Sequence, residues 1–298
     1  MRANTAVPEG GVFDRKEELE ERLHQGPGGE ARREAAVTAD GPPPSRWTLR
    51  TIRATFSWLE GYTLSGVWRV LDRHGLRLRS ARVQQYSPDP EYTSKVAHLY
   101  QCLREAALAP EEIVFLFMDE MGYYRWPAPA ADWAPVAPNP APVAQRGGGN
   151  NRQWRIIGTL NALTGQVDYV EDYIVGRQKV IAMYHHLDQV YPHARRIYVA
   201  QDNWSIHKHP DVLNALTGLP RIEPVWLPTY APWLNPIEKL WRWLRQDVLK
   251  MHRLAGDWEE LRRRVNAFLD QFASGSQELL HYVGLLGDGK LAQAIRGP

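Results

Sequence analysis

Apolar residues recur along this chain in two rhythms, and the change from one to the other marks its organisation. Leu49, Ile52, Phe56 and Leu59 keep helical spacing until Gly61 breaks the run. Thr63 is placed to cap a second helix carrying Val67, Val70 and Leu71, which stops at Gly75. Two short helices across a tight turn predict a helix-turn-helix. Alternating apolar and basic residues over 76–83 predict a short wing or strand behind it. Residues 92–108 read as one helix, with Val96, Leu99, Tyr100 and Leu103 on a face. At 113 the rhythm changes. An unbroken apolar run over 113–118 ends at Asp119 and Glu120, the pattern of a buried central strand. Residues 154–160 and 167–175 read as strands about a turn at Leu163 to Gly165. Residues 178–190 read as helix, 196–200 as a buried strand, 210–216 as a short helix and 222–227 as the last strand. Leu240, Trp241, Leu244 and Val248 return at helical spacing, and 258–272 is helical again.

The strands at 113, 154 and 167 follow one another without an intervening helix, the first two across a long Pro-, Ala- and Gly-rich loop at 126–149 and the last two across a short turn, which suggests antiparallel pairing. The later strands alternate with helices, which suggests parallel pairing. The predicted fold is therefore α/β: a mixed five-stranded, ribonuclease-H-like sheet flanked by helices. A small all-α, winged-helix-like helix-turn-helix domain precedes it. Residues 1–46 hold few large apolar groups and several Gly-Pro clusters, so they are expected to be mostly disordered. Residues 47–86 form the helix-turn-helix domain, and 87–110 a linker and connecting helix with a hinge at Ser87-Pro-Asp-Pro. Residues 111–275 form the ribonuclease-H-like catalytic domain and 276–298 a C-terminal tail.

Candidate chemistry sits where these elements end. The stretch LPTYAPWLNPIE, residues 227–238, reads as a strand end, a proline-rich turn and a helix start. Asn235 suits the N-cap, Pro236 the first helical position, and Glu238 the third. The Asn-x-x-Glu spacing also fits a capping box, in which Glu238 would only bond back to the cap. Asp119 and Asp202 follow two apolar strands, however, and three carboxylates delivered by two strand ends and a helix start can hold two divalent metals. Adjacent strand residues point to opposite faces, so only one of Asp119 and Glu120 can face such a site. Clustered acids repel, so without a cation at least one is expected to titrate high.

These residues resemble the three blocks of the mariner-like DDE transposases, most nearly their bacterial insertion-sequence branch. The blocks are Phe117-Met-Asp-Glu120, Val199-Ala-Gln-Asp-Asn203 with His207 following, and the 227–238 stretch. Residues 82–92 are similar to that branch's link between DNA-binding and catalytic parts. The likeness covers about residues 47–250, and the 36 positions from Asp202 to Glu238 match the family's short second interval. The resemblance implies that Asp119, Asp202 and Glu238 are the catalytic, metal-binding acids. They would hold Mg²⁺ or Mn²⁺, two ions together. It implies a DNA transposase that cleaves at terminal inverted repeats and joins the ends to a target, commonly TA, working as a homodimer on DNA. A catalytically decayed, transposase-derived DNA-binding protein is the other reading. Glu120, Asn203, His207 and Asn235 are expected as neighbours supporting the acids, with His207 touching DNA or a metal-bound water.

Formal net charge is only +2, so any nucleic-acid signal must be local. Between 47 and 86 Arg50, Arg53, Arg69, Arg73, Arg77, Arg79 and Arg82 face only Glu60 and Asp72, a phosphate-binding footprint. Lys239, Arg242 and Arg245 follow Glu238 and are expected to hold phosphates as well. Residues 1–46 carry more acids than bases, which disfavours DNA contact there. A single cysteine, Cys102, excludes an intrachain disulfide framework and fits a reducing cytoplasm, where a nucleoid-associated protein would work. No apolar run approaches the roughly 20 residues of a membrane helix, and no signal-peptide core opens the chain. The histidine pairs at 185–186 and 207–209 lack zinc-type partners, and the glycines at 147–149 lack a P-loop lysine.

Overall fold

The structure is a computed structural model and describes residues 47–78, 86–134 and 141–297. The chain divides into two compact units, Met1–Val83 and Gln84–Pro298. In the first, α1 (Leu49–Thr55), a 3-10 turn (Ser57–Leu59) and α2 (Leu64–Arg73) enclose Ile52, Phe56, Leu59, Val67, Val70 and Leu71. Thr63 caps α2 as its sequence predicts, its side chain accepting the Gly66 N–H at 3.1 Å. Gly75 takes the left-handed conformation (φ 72°) that ends the run. Residues 76–78 form no strand, and the rest of the expected wing, with Arg79 and Arg82, lies outside the described residues. So do residues 1–46 and their expected disorder.

The second unit carries α3 (Tyr92–Leu108), β1 (Ile113–Tyr124), β2 (Gln153–Asn161), β3 (Val167–Asp172), α4 (Arg177–Val190), β4 (Arg196–Gln201), α5 (Pro210–Thr217), β5 (Ile222–Trp226), α6 (Ile237–Leu244), α7 (Trp258–Asp270), α8 (Gln277–Val283) and α9 (Lys290–Arg296). The strands form one sheet in the order β3-β2-β1-β4-β5. β1 pairs antiparallel with β2 and β2 with β3, whereas β4 runs parallel to β1 and β5 parallel to β4. This is the predicted mixed, ribonuclease-H-like sheet. Side chains alternate along β1. Phe115, Phe117, Met121 and Tyr123 enter a core shared with α3 and α6 to α9. Leu116 and Met118 enter the opposite core, built with α4 and Val212 of α5. Among the described residues no helix is long and apolar enough to cross a membrane.

Three expectations need correction. β1 does not stop at the acids but runs on to Tyr124, because β2 continues its ladder from Asp119↔Gly158 to Tyr124↔Gln153. The helix expected as a connector, α3, buries Leu99, Cys102, Leu103 and Ala106 in the main core. The expected tail, 276–298, is also core. Leu279, Leu280, Val283, Leu285 and Leu291 are buried there, and α9 packs on α3. Its entry is fixed at the β2–β3 turn, where the Ser276 N–H bonds the Thr164 carbonyl at 2.9 Å. A Cβ on Gly165 would meet the Ser276 carbonyl at 2.3 Å, so glycine is required for that approach.

If this segment belongs to the core, Leu280→Ala is expected to cost about 2–5 kcal/mol of stability by urea melting. A loss under about 0.5 kcal/mol would mean that the segment is detachable after all.

Candidate active site

Asp119 lies on β1 where the sheet parts. Pairing with β4 ends at Phe117↔Ala200, while pairing with β2 goes on. The gap is closed from outside the sheet. Asn235 is buried, and its side-chain amide donates to the Met118 carbonyl at 2.9 Å. It is therefore not the N-cap its sequence suggested. Pro236 holds that position, and the Asn235 N–H goes to the Pro232 carbonyl at 3.0 Å rather than to Glu238. Glu238 is thus released from the capping-box role and sits in the first turn of α6.

Asp202 stands one residue past β4. Its Oδ1 accepts the Trp204 N–H at 2.9 Å, which turns the chain away from the sheet. The Asn203 amide donates to the Leu227 carbonyl at 2.6 Å and ties the ends of β4 and β5 together. Lys208 in turn donates to the Asn203 Oδ1 at 2.7 Å. Asp119, Asp202 and Glu238 then line a single pocket of about 540 Å³, with Asn203, Thr229, Tyr230 and Asn235 among its walls. Burial pushes the Asp119 carboxyl up to about 8, helped by the charges of Glu238, Glu120 and Asp202. One acid does titrate high, but burial rather than the clustering of carboxylates is the larger cause. Among the described residues no three acid, histidine or cysteine side chains are already closed into a metal-holding group.

Glu120 points to the other face of β1, toward the α4 core. There its Oε1 pairs with the His207 Nε2 at 2.9 Å. His207 is buried, so it cannot reach DNA or the pocket as expected; it braces the loop after β4 against β1. Asn203 and Asn235 likewise act by joining backbone elements.

Of the expected phosphate contacts, Lys239 is otherwise engaged. Its ammonium donates to the Val283 carbonyl at the end of α8 (2.6 Å), and burial, then the Arg242 charge, lowers its pKa. Arg242 and Arg245 are exposed. In the first unit Arg50, Arg69 and Arg73 are exposed with no ion pair among the described residues. Arg77 pairs with Asp72 at 2.8 Å, and Arg53 donates to the Tyr62 carbonyl at 3.4 Å.

Two features were missed in the sequence. Ser87-Pro-Asp-Pro is a brace, not a hinge. The Asp89 carboxylate accepts from the Lys95 ammonium (2.9 Å) and from the N–H groups of Thr229 (2.8 Å) and Glu91 (2.9 Å), Lys95 doing most to hold it well below the usual carboxylate range. Ser87 donates to the Thr229 carbonyl at 2.5 Å, so a pocket wall is gripped through both its backbone groups. Beyond it Tyr230 holds φ 54°, a conformation unusual for a residue with a Cβ, and leaves its ring exposed. The Pro-Asp-Pro pattern signals a turn but not its distant partner. The second missed feature is Trp241, read as core alone. Its Nε1 donates to the Asp119 Oδ2 at 3.0 Å.

The raised Asp119 pKa sets a pH test. An unfolded aspartate titrates near 3.8, so the metal-free fold loses stability as pH rises from there through about 8. Asp119→Asn removes that loss. Its melting temperature should exceed the wild type's at pH 8 by more than at pH 5, without divalent cation. A pH-independent difference would refute the assignment.

A family profile described as DDE superfamily endonuclease matches residues 114–262, half of the chain and all three acids. The chain is 27% identical over 228 residues to an insertion element IS630 uncharacterized 39 kDa protein of Shigella sonnei, a match covering 76% of this chain and 64% of that relative. Solved structures with the same fold include the Mos1 mariner paired end complex with Mn, at TM-score 0.57 and 15% identity over 96% of this chain and 91% of the other. The Mos1 transposase paired-end complex with left transposon end matches at TM-score 0.57 and 16% identity, over 97% and 86%. These likenesses bear out the resemblance to mariner-like DDE transposases, and the chain belongs to the DDE superfamily endonuclease family.

Proposed function

We propose that this protein is the transposase of an insertion sequence, cutting DNA at terminal inverted repeats and joining the freed ends to a target, TA by preference. The single observation that carries this is the convergence of Asp119, Asp202 and Glu238 on one pocket from three separate elements. The donor set fits Mg²⁺ or Mn²⁺. It is all carboxylate oxygen, and the charges of Glu238, Glu120 and Asp202 add to burial in raising Asp119, a repulsion that a cation would relieve. Hard cations keep waters and take substrate phosphates, so two ions need only a few protein oxygens. When bound, such ions activate the attacking oxygen and stabilise the departing one.

The chain's own residues supply position and exclusion. Asn235 and Asn203 fix the three acid-bearing elements relative to one another. The Ser87–Asp89 brace holds the wall at Thr229. Arg242 and Arg245, exposed on the helix that carries Glu238 in its first turn and just past its end, take the phosphates leading away from the cut. Arg69 and Arg73, one turn apart on α2, anchor the repeat. DNA is the partner, two copies of the chain pair on the two element ends, and the work is done in the cytoplasm. A decayed DNA-binding protein is the second reading. The presence of all three acids in the pocket weighs against it.

The test is Mg²⁺-dependent strand cleavage of DNA carrying the element's own inverted repeats. Asp119→Asn, Asp202→Asn and Glu238→Gln should each reduce cutting to background while leaving repeat binding within about twofold. Cutting by any of these variants at near the wild-type rate would remove that acid from the site. A wild-type protein that binds but never cuts would select the decayed reading.

Each phosphate neutralised adds about 0.9 to the slope of log K against log salt. Changing Arg69 and Arg73 together to alanine should therefore flatten the slope by about 1.8. An unchanged slope would show that they only solvate α2.

A further inference from the structure

We infer that Trp241 is a positioning residue for Asp119, and that Gly158 is glycine so that Trp241 can act; the inference rests on the acid pocket described above. Trp241 follows Glu238 by three positions on α6, so the two share a helix face. The indole is fully buried, and its N–H reaches the Asp119 Oδ2 at 3.0 Å. One short helix thus delivers the third acid and also grips the first.

The slot for the ring is cut into β2. Gly158 stands directly opposite Asp119 in the β1–β2 register, and cross-strand partners share a face. A Cβ there would lie 2.7 Å from the indole Cη2 and 3.1 Å from Cζ2. No side chain fits at the position beside Asp119 while the ring is in place. Glycine weakens a strand interior, so its use in a central pair marks a close approach.

A buried indole N–H needs an acceptor, and a core position alone would be met by Leu or Phe without one. Here the acceptor is a carboxylate of the pocket. The bond occupies Oδ2 and so restrains how the Asp119 carboxylate stands in the pocket. Partners of this kind, one bond behind a ligand, commonly change metal affinity by about 10–100-fold when removed.

The decisive variant is Trp241→Phe, which keeps an aromatic side chain in the core and deletes the N–H along with the second ring. In the full-length protein, with Mg²⁺ or Mn²⁺ alone as probe, the cation-induced rise in melting temperature should need about tenfold more cation. The Mg²⁺ half-saturation of strand cleavage should shift by the same factor. The KM for DNA should be unchanged, and excess cation should restore the rate. Gly158→Ala keeps the N–H but fills the slot, and it should shift the half-saturation in the same direction. Measuring below the melting point of each variant separates this from poor folding. A Trp241→Phe protein with wild-type cation half-saturation would overturn the inference, leaving the N–H as a merely satisfied donor. That result together with an inactive Asp119→Asn would spare the pocket reading. An active Asp119→Asn would sink the reading itself.

Discussion

The bond from the Asn235 amide to the Met118 carbonyl is the constraint on which the site depends. A central strand that loses one neighbour exposes backbone groups, and leaving them unpaired in the interior costs about 1–3 kcal/mol each. β1 meets this at Met118, just past its last residue paired with β4. The side chain that satisfies it comes from the turn before α6, so the repair of the sheet and the docking of α6 are one event. Glu238 and Trp241 arrive with that helix, one as a third acid and one as a grip on the first. Breaking the bond would therefore disturb all three, although Asn235 carries none of the charge.

Much of this was legible in the sequence, and the reason is periodicity. The apolar runs at 113 and 196 are too continuous for anything but buried strands, and the acids follow from where those runs end. The antiparallel pairing of the early strands and the parallel pairing of the later ones followed from whether helices lie between them. What stayed hidden was settled by distant partners. Asn235 carries a strong local signal as a cap, but a buried carbonyl across the fold outbid the helix end for its amide. β1 outran its apolar run because β2 pairs with it past Asp119, and Gly122 and Tyr124 give no hint of that. The C-terminal helices are seven residues each, too short for a period to stand out, so core looked like tail. His207 invited a role in chemistry by lying near Asp202, yet the loop's geometry turns it behind the sheet to Glu120.

The same comparison shows why basic residues are hard to read. A run of arginines has the same sequence signature whether it faces a phosphate or a neighbour's carbonyl. Lys239 ends a helix and Arg77 closes an ion pair, while Arg69 and Arg73 keep their charge in solvent. A charge already satisfied internally must break a bond to meet DNA, so its net contribution is smaller than that of a free one. The set of basic residues without an internal partner among the described residues is thus smaller than the sequence suggested.

The three acids are not equivalent in their freedom. Asp119, on a central strand, is held at Oδ2 by the buried indole of Trp241, and burial drives its carboxyl up to about 8. Asp202 is exposed and tied only by the turn it opens, and Glu238 has no side-chain bond among the described residues. Asp119 is therefore the acid whose orientation the fold itself fixes from behind, while Asp202 and Glu238 are placed only by the turn and the helix that carry them.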